Sequence, residues 1–428
     1  MTKLGRGRQN LFAACLLLQG LLVLGLTASA RAGVAPSTIV LGLAACFAPY
    51  AVALGLTRDL VSRARAEKIA LTGLFVFGLA FVVAPPVLSD DVYRFLWEGR
   101  VWLQGFNPYD LAPADPALEH LRDGVWTEIN NKDLASIYPP LSQALFALTD
   151  LLGGGIWTAK LLALIAHAFT TIVVSRISPD PRAPLALALN PLLLSEGALN
   201  GHLDVLTGLA LLVAAWGLSR HRIMRAAIAT CVAVGLKAVG LVMVPLFARR
   251  PVTFSAVAVV SAVVLSPLLV FRPLADAASG PGQFAARWRG NESFYALIEW
   301  VSHQVVEESV AITVARASVV GLVLAVGAIS VVKRIPPLRA TRIILWTTLL
   351  LSPQVHPWYL AWLLPIEIVS GGLAGLVWSA SVLCAYAPLD RWLAEGVWEM
   401  PVALHVFEYL AVTLALVVEW RRSREIES

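Results

Sequence analysis

Pro85-Pro86-Val87-Leu88-Ser89-Asp90-Asp91-Val92-Tyr93-Arg94-Phe95-Leu96-Trp97-Glu98-Gly99-Arg100 closes one long apolar run and opens the longest polar stretch of the chain. Its hydroxyl, carboxylates and guanidinium groups are packed into one short segment. Two readings compete. Ser89 suits a helix N-cap, Asp90 and Asp91 suit the positive end of a helix dipole, and Asp90 stands four residues before Arg94 at ion-pair spacing. Alternatively Asp91, with Phe95 and Glu98 beneath it on one helical face, projects into a cavity where a carboxylate acts as a general base.

The surrounding composition sets the medium. The chain is 58% hydrophobic and 14% charged, with mean hydropathy +0.74. That excess of apolar surface identifies a polytopic membrane protein. The net charge of +5 does not mark a nucleic-acid binder, because the basic residues sit in short clusters between apolar runs. Cys15, Cys46, Cys231 and Cys384 all lie in apolar segments without a C-x-x-C pair, which excludes a disulfide framework or metal knuckle as the organising device.

Loop charge gives an orientation. Lys3, Arg6 and Arg8 place the N-terminus inside, and the run from Leu11 to Ala30 reads as a retained first helix rather than a cleaved signal. A second span, about Ser37 to Leu56, returns to Arg58, Arg63, Arg65 and Lys68, so the third, about Ile69 to Leu88, exits with Asp90 and Asp91 facing outward. Residues 89–140 are too long a polar stretch for a simple connector and read as a functional or docking outer loop, Leu141 to Leu152 as a juxtamembrane or re-entrant helix stopped by Gly153-Gly154-Gly155, and Ile156 to Ser175 and Ala183 to Leu199 as further crossings. Val205 to Leu218 returns inside. Ala226 to Ala248 has basic residues at both ends and Lys237 in its middle, which predicts a hairpin of two short helices with Lys237 at the tip. Val252 to Phe271, a second outer loop at 273–310, Val310 to Val332, Gly372 to Ala387 and Val402 to Val418 complete the pattern. The expected architecture is one all-α transmembrane domain, residues 1–428, of about thirteen or fourteen membrane-embedded segments.

The unusual polar residues then fall on one side: Asp90, Asp91, Arg94 and Arg100; Tyr138 and Gln143; Glu196, His202 and Asp204; Lys237; Arg287 and Arg289; His356. No phosphate-binding G-x-x-x-x-G-K-[ST] occurs, and nucleotides are scarce at that face. An energy-rich substrate there would arrive attached to a lipid. Transfer from a lipid phosphate needs a base for the acceptor hydroxyl and cations for the leaving phosphate, but no acid. A transporter or flippase of lipid-linked sugars also needs membrane charge and broken helices, though it should leave ionisable groups on both sides. A non-catalytic membrane scaffold is a further alternative.

The residues Asp90 to Arg100, Asn107-Pro108-Tyr109, Ile137-Tyr138-Pro139-Pro140, Asn200-Gly201-His202-Leu203-Asp204, Leu236-Lys237 and Pro357-Trp358-Tyr359-Leu360 resemble the integral-membrane GT-C glycosyltransferases, and most of all the bacterial polyprenyl-phosphate-mannose-dependent mannosyltransferases. The resemblance spans about residues 69 to 370. It implies a GT-C-like bundle in the bacterial cytoplasmic membrane with its site on the extracytoplasmic face, a polyprenyl-phosphate donor, a lipid or glycan acceptor and an inverted anomeric centre. It also implies a catalytic aspartate with an aromatic residue four positions on, which falls on Asp91 and Phe95, with Asp90 adjacent. On this reading Lys237, Arg94, Arg287 and Arg289 hold the donor phosphate, and Glu98, Arg100, Tyr138, Glu196, Asn200, His202, Asp204, His356 and Trp358 contact sugar or acceptor. No metal and no other cofactor are expected, since no compact ligand spacing is present.

Overall fold

The computed structural model describes residues 3–270 and 288–427, whose regular secondary structure is helical, with no strand among them. Arg287 lies outside them. Among the described residues, six helices are long and apolar enough to cross a membrane: Gly5–Arg31, Pro36–Leu60, Ile156–Ile177, Pro251–Leu268, Glu308–Val332 and Val402–Arg422. Shorter apolar helices, among them Asp204–Ser219 and Ile223–Leu236, accompany them. The chain is an all-α polytopic membrane protein.

The described residues pack as two units. The first comprises Met1–Val92, Ile156–Val205 and Glu367–Ser428; the second comprises Tyr93–Gly155 and Leu206–Ile366.

In the first unit, small residues let helices approach closely. A methyl at Gly78 of the Arg63–Val82 helix would lie 2.4 Å from the Leu164 side chain of the Ile156–Ile177 helix, so a larger residue there would force Leu164 to move. The expected third span, Ile69 to Leu88, starts earlier and stops earlier than its apolar run, because Pro85 and Pro86 disfavour helix in the residues before them.

The expected continuous crossing from Ala183 to Leu199 is instead broken. Helices Ala183–Ala188 and Pro191–Leu194 are followed by a π-helical turn, Ser195–Leu199. Pro191 has no N–H, and the Asn190 side chain accepts from Leu192 N and Leu193 N, starting a new helix where the old one ends. Carbonyls around the break are each met by a buried side chain: Tyr50 donates to Ala186 O (2.6 Å), Gln19 to Leu189 O (2.7 Å), and His167 Nε2 contacts Leu187 O (3.0 Å). An unmet carbonyl in hydrocarbon costs several kcal/mol, so these bonds make the break tolerable. The Gly372 to Ala387 run is likewise divided, into the helix Ala374–Ser381 and a 3-10 turn, Val382–Tyr386.

In the second unit the helix Ile223–Leu236 ends at Lys237, whose backbone is extended, and a 3-10 helix Ala238–Phe247 follows. A methyl at Gly240 would stand 2.3 Å from Val234 N, so the chain doubles back on itself there. The expected hairpin with Lys237 at its turn is therefore present. Ser142 caps its first arm by donating to Leu236 O at 2.6 Å. Trp97, Val101, Leu118 and Ile129 form a buried apolar cluster that anchors the polar segment after Leu103.

Candidate active site

Asp91 is the first residue of the helix Asp91–Leu103. Ser89 Oγ accepts from Asp91 N–H at 3.3 Å, the local bond expected of a serine at a helix entry. Both Asp90 and Asp91 are half-buried.

The first unit brings the Asn200–Asp204 turn to this entry. His202 Nε2 lies 3.2 Å from Ser89 Oγ, and Asn200 Oδ1 accepts from Leu88 N–H at 3.3 Å. Gly201 sits at φ +85°, and a methyl there would lie 2.8 Å from Val92 Cγ2, so the turn needs glycine for conformation and for space. Below it, Glu196 is almost fully buried and accepts from Asn200 Nδ2 at 3.3 Å and from the Tyr386 hydroxyl at 2.7 Å. The π turn also lets the Glu196 carbonyl accept from His202 N–H at 2.8 Å. Asp204 and Asp91 both lie near enough to Glu196 for their charges to act on it. Among the sequence-predicted residues, this unit therefore gathers Asp90, Asp91, Glu196, Asn200, His202 and Asp204.

Two residues of this group escaped the sequence reading. Tyr386 lies in an apolar run, where only its hydroxyl distinguishes it from filler. Lys160, fully buried, donates to Phe81 O (3.0 Å) and Ala84 O (2.5 Å). A lone lysine inside a span was the signal for it.

The second unit holds the other described candidates. Arg94 is buried and pairs with Glu98 (Nε to Oε1, 2.8 Å), not with Asp90, and also donates to Asn131 O at 3.1 Å and to Leu134 O. Asp90 precedes the helix, whereas Glu98 lies one turn along it on Arg94's own face. Ser136 Oγ and Gln143 Nε2 donate to Glu98 Oε2 at 2.7 and 2.5 Å. Arg100 pairs with Asp123 at 2.7 Å and approaches Asp150 at 3.8 Å. These groups tie the 104–139 segment to its helix.

Phe95 stacks on Phe146 at 4.5 Å, and Tyr138 meets both rings edge-on. Lys237 Nζ lies 4.9 Å over the Tyr138 ring, a cation–π contact worth about 0.5–2 kcal/mol. Tyr109 donates to Tyr138 O at 2.9 Å. Arg289 pairs with Glu292 and with Glu299 (2.9 Å). His356 stacks on Trp358 at 4.2 Å and lies 2.5 Å from Gln354 Nε2. Among the described residues no group of three metal-ligating side chains is spaced to hold an ion.

No curated protein and no solved structure matches the chain. A model of the alpha-(1->6)-mannopyranosyltransferase N-terminal domain matches residues 19–253, more than half of the sequence, and the chain thus belongs to the MptA/B family of mannosyltransferases.

Proposed function

We propose that this mannosyltransferase takes mannose from a polyprenyl-phosphate donor and delivers it, with inversion, to a lipid-linked or cell-envelope glycan acceptor on the outer face of the bacterial cytoplasmic membrane. The observation that carries this reading is Asp91 at a helix entry held by Ser89, Asn200 and His202. A half-buried carboxylate on a backbone anchored in that way suits a general base.

In the step itself, the acceptor oxygen bonds to the anomeric carbon while Asp91 takes its proton. The bond from that carbon to the phosphate oxygen breaks on the opposite face, and polyprenyl phosphate leaves with the electron pair. Single displacement inverts the centre, so an α product of the kind the family's description names requires a β-linked donor. Lys237, half-buried at its hairpin turn, is our candidate cation for the leaving phosphate. Arg94, Glu98 and Arg100 serve the 104–139 segment instead. Glu196, Asn200, His202 and Asp204 shape the Asp91 environment and are the candidate sugar contacts; His356 and Trp358 are candidates for the acceptor.

The orientation rests on the basic loops, with Arg58, Arg63 and Arg65 after the second span and Arg421 and Arg422 at the end of the last helix. The deciding experiment is transfer of labelled mannose from polyprenyl-phosphate-mannose into membrane glycolipid by wild type, Asp91→Asn and Asp90→Asn at matched expression. A loss of roughly hundredfold or more confined to Asp91→Asn supports the base. Wild-type transfer by both variants refutes it, and no transfer by wild type refutes the donor.

A further inference from the structure

Lys160 occupies the second turn of the Ile156–Ile177 helix with no exposed surface. The two carbonyls it meets, Phe81 O and Ala84 O, belong to the end of the Arg63–Val82 helix and the residues just past it. A helix end ordinarily finds donors in its own returning backbone or in water. Here the next two residues are Pro85 and Pro86, which have no N–H to offer. Phe81 O already accepts backbone N–H from Val83 and from Ala84 (3.1 Å); the ammonium adds to these and also meets Ala84 O, at the negative end of the helix dipole.

The same side chain reaches the other half of the Asp91 environment. A methyl at Gly201 would lie 3.6 Å from Lys160 Cγ, so the lysine stem packs under the Asn200–Asp204 turn. Val92, next to Asp91, packs on that glycine as well. One buried side chain thus touches the segment that leads into Ser89–Asp91 and the turn that bears His202. A buried ammonium is a costly way to fill space, and an apolar side chain of similar length would fill it without that cost. Its use here is to fix where the chain leaves the helix and so where Asp91 begins the next one.

We propose that Lys160 is a positioning residue for mannosyl transfer, acting through the Pro85–Asp91 segment and the Gly201 turn on the placement of the Asp91 carboxylate. The proposal rests on the reading of Asp91 as base. It is tested on the full-length chain in membranes, with polyprenyl-phosphate-mannose varied and membrane glycolipid as acceptor, normalised to folded protein. Lys160→Met, which keeps the stem and removes the donor, is expected to lower kcat roughly tenfold to hundredfold, since sub-ångström to ångström misplacement has effects of that order, with donor KM changed by less than about twofold. Lys160→Gln, which retains a shorter donor, should fall between. In an Asp91→Asn background, Lys160→Met should cost no more than about twofold further, because the carboxylate it places is gone. Wild-type kcat in Lys160→Met, an equal loss in both backgrounds, or failure of both Lys160 variants to accumulate as folded protein would each overturn the proposal; the last would make the lysine a support of the whole unit. An Asp91→Asn enzyme with wild-type rate would instead overturn the base reading, whatever Lys160→Met does.

Discussion

Tyr386 donates its hydroxyl hydrogen to Glu196 Oε1 at 2.7 Å across a sequence separation of 190 residues. Asn200 takes the other carboxylate oxygen, so both oxygens of a buried carboxylate are met from different parts of the first unit. Tyr386→Phe removes one of those donors while preserving the ring. Leaving a buried acceptor unmet costs about 1–3 kcal/mol. The expected result is a lowered thermal midpoint in detergent together with reduced mannosyl transfer; an unchanged midpoint would show that Glu196 does not depend on the tyrosine.

Glu98 governs a different structure. It receives Arg94, Ser136 and Gln143 at once, and its side chain and that of Arg94 are nearly inaccessible. Glu98→Ala strands the Arg94 cation, a loss of about 3–5 kcal/mol for a buried pair broken on one side. The Arg94→Met, Glu98→Leu double variant should recover much of that loss, because both charges are then removed. Limited proteolysis within residues 104–139 reads the difference: rapid cleavage in Glu98→Ala and slower cleavage in the double variant. Equal cleavage in all three proteins would refute the tie.

Charge against an apolar background is what made half of this site legible. Asp90, Asp91, His202 and Asp204 stand out because they interrupt runs of leucine and alanine, and the structure does place the Ser89–Asp91 segment beside the Asn200–Asp204 turn. Spacing was less decisive. Arg94 has a carboxylate four residues away on each side, and only the helix start at Asp91 selects Glu98. Lys160 and Tyr386 were obscured because one polar atom in a long apolar helix leaves periodicity and hydropathy unchanged, and its partners are backbone carbonyls or distant side chains. The break before Pro191 carried its own signal, an asparagine followed by proline, which an average over the apolar run conceals.

Acid should loosen the same 104–139 segment through Asp123. Partial burial acts to raise its carboxyl, but the Arg100 hydrogen bond and the N–H groups of Trp126 and Val125 outweigh that and hold it below the ordinary aspartate range. Its folded pKa being lower than its unfolded one, the unfolded state binds more protons in between, and stability rises with pH there. The contribution is complete above the ordinary value of about 3.9 and is lost as pH falls through the lower folded value. Hydrogen exchange of this segment, corrected for intrinsic rate, should quicken below about pH 4 in wild type. In Asp123→Asn it should be faster at neutral pH and lack that acid step; an unchanged step would assign it to another group.

Lys237 is the residue on which the leaving-phosphate assignment is tested. Its ammonium rests over the Tyr138 ring, and its position is set by the Leu236 cap from Ser142 and by the close return of the chain at Gly240. A cation that meets a phosphate gaining charge acts most strongly as the bond breaks, so its removal should reduce kcat as well as donor affinity. Lys237→Gln is expected to lower kcat/KM for polyprenyl-phosphate-mannose by roughly a hundredfold or more, and Lys237→Arg to restore part of it. Tyr138→Phe keeps the ring and should change little, whereas Tyr138→Leu removes the face on which the ammonium rests and should raise donor KM. A Lys237→Gln enzyme with wild-type kcat/KM would exclude the lysine from the reaction, and the leaving phosphate would then need its cation from elsewhere in the chain.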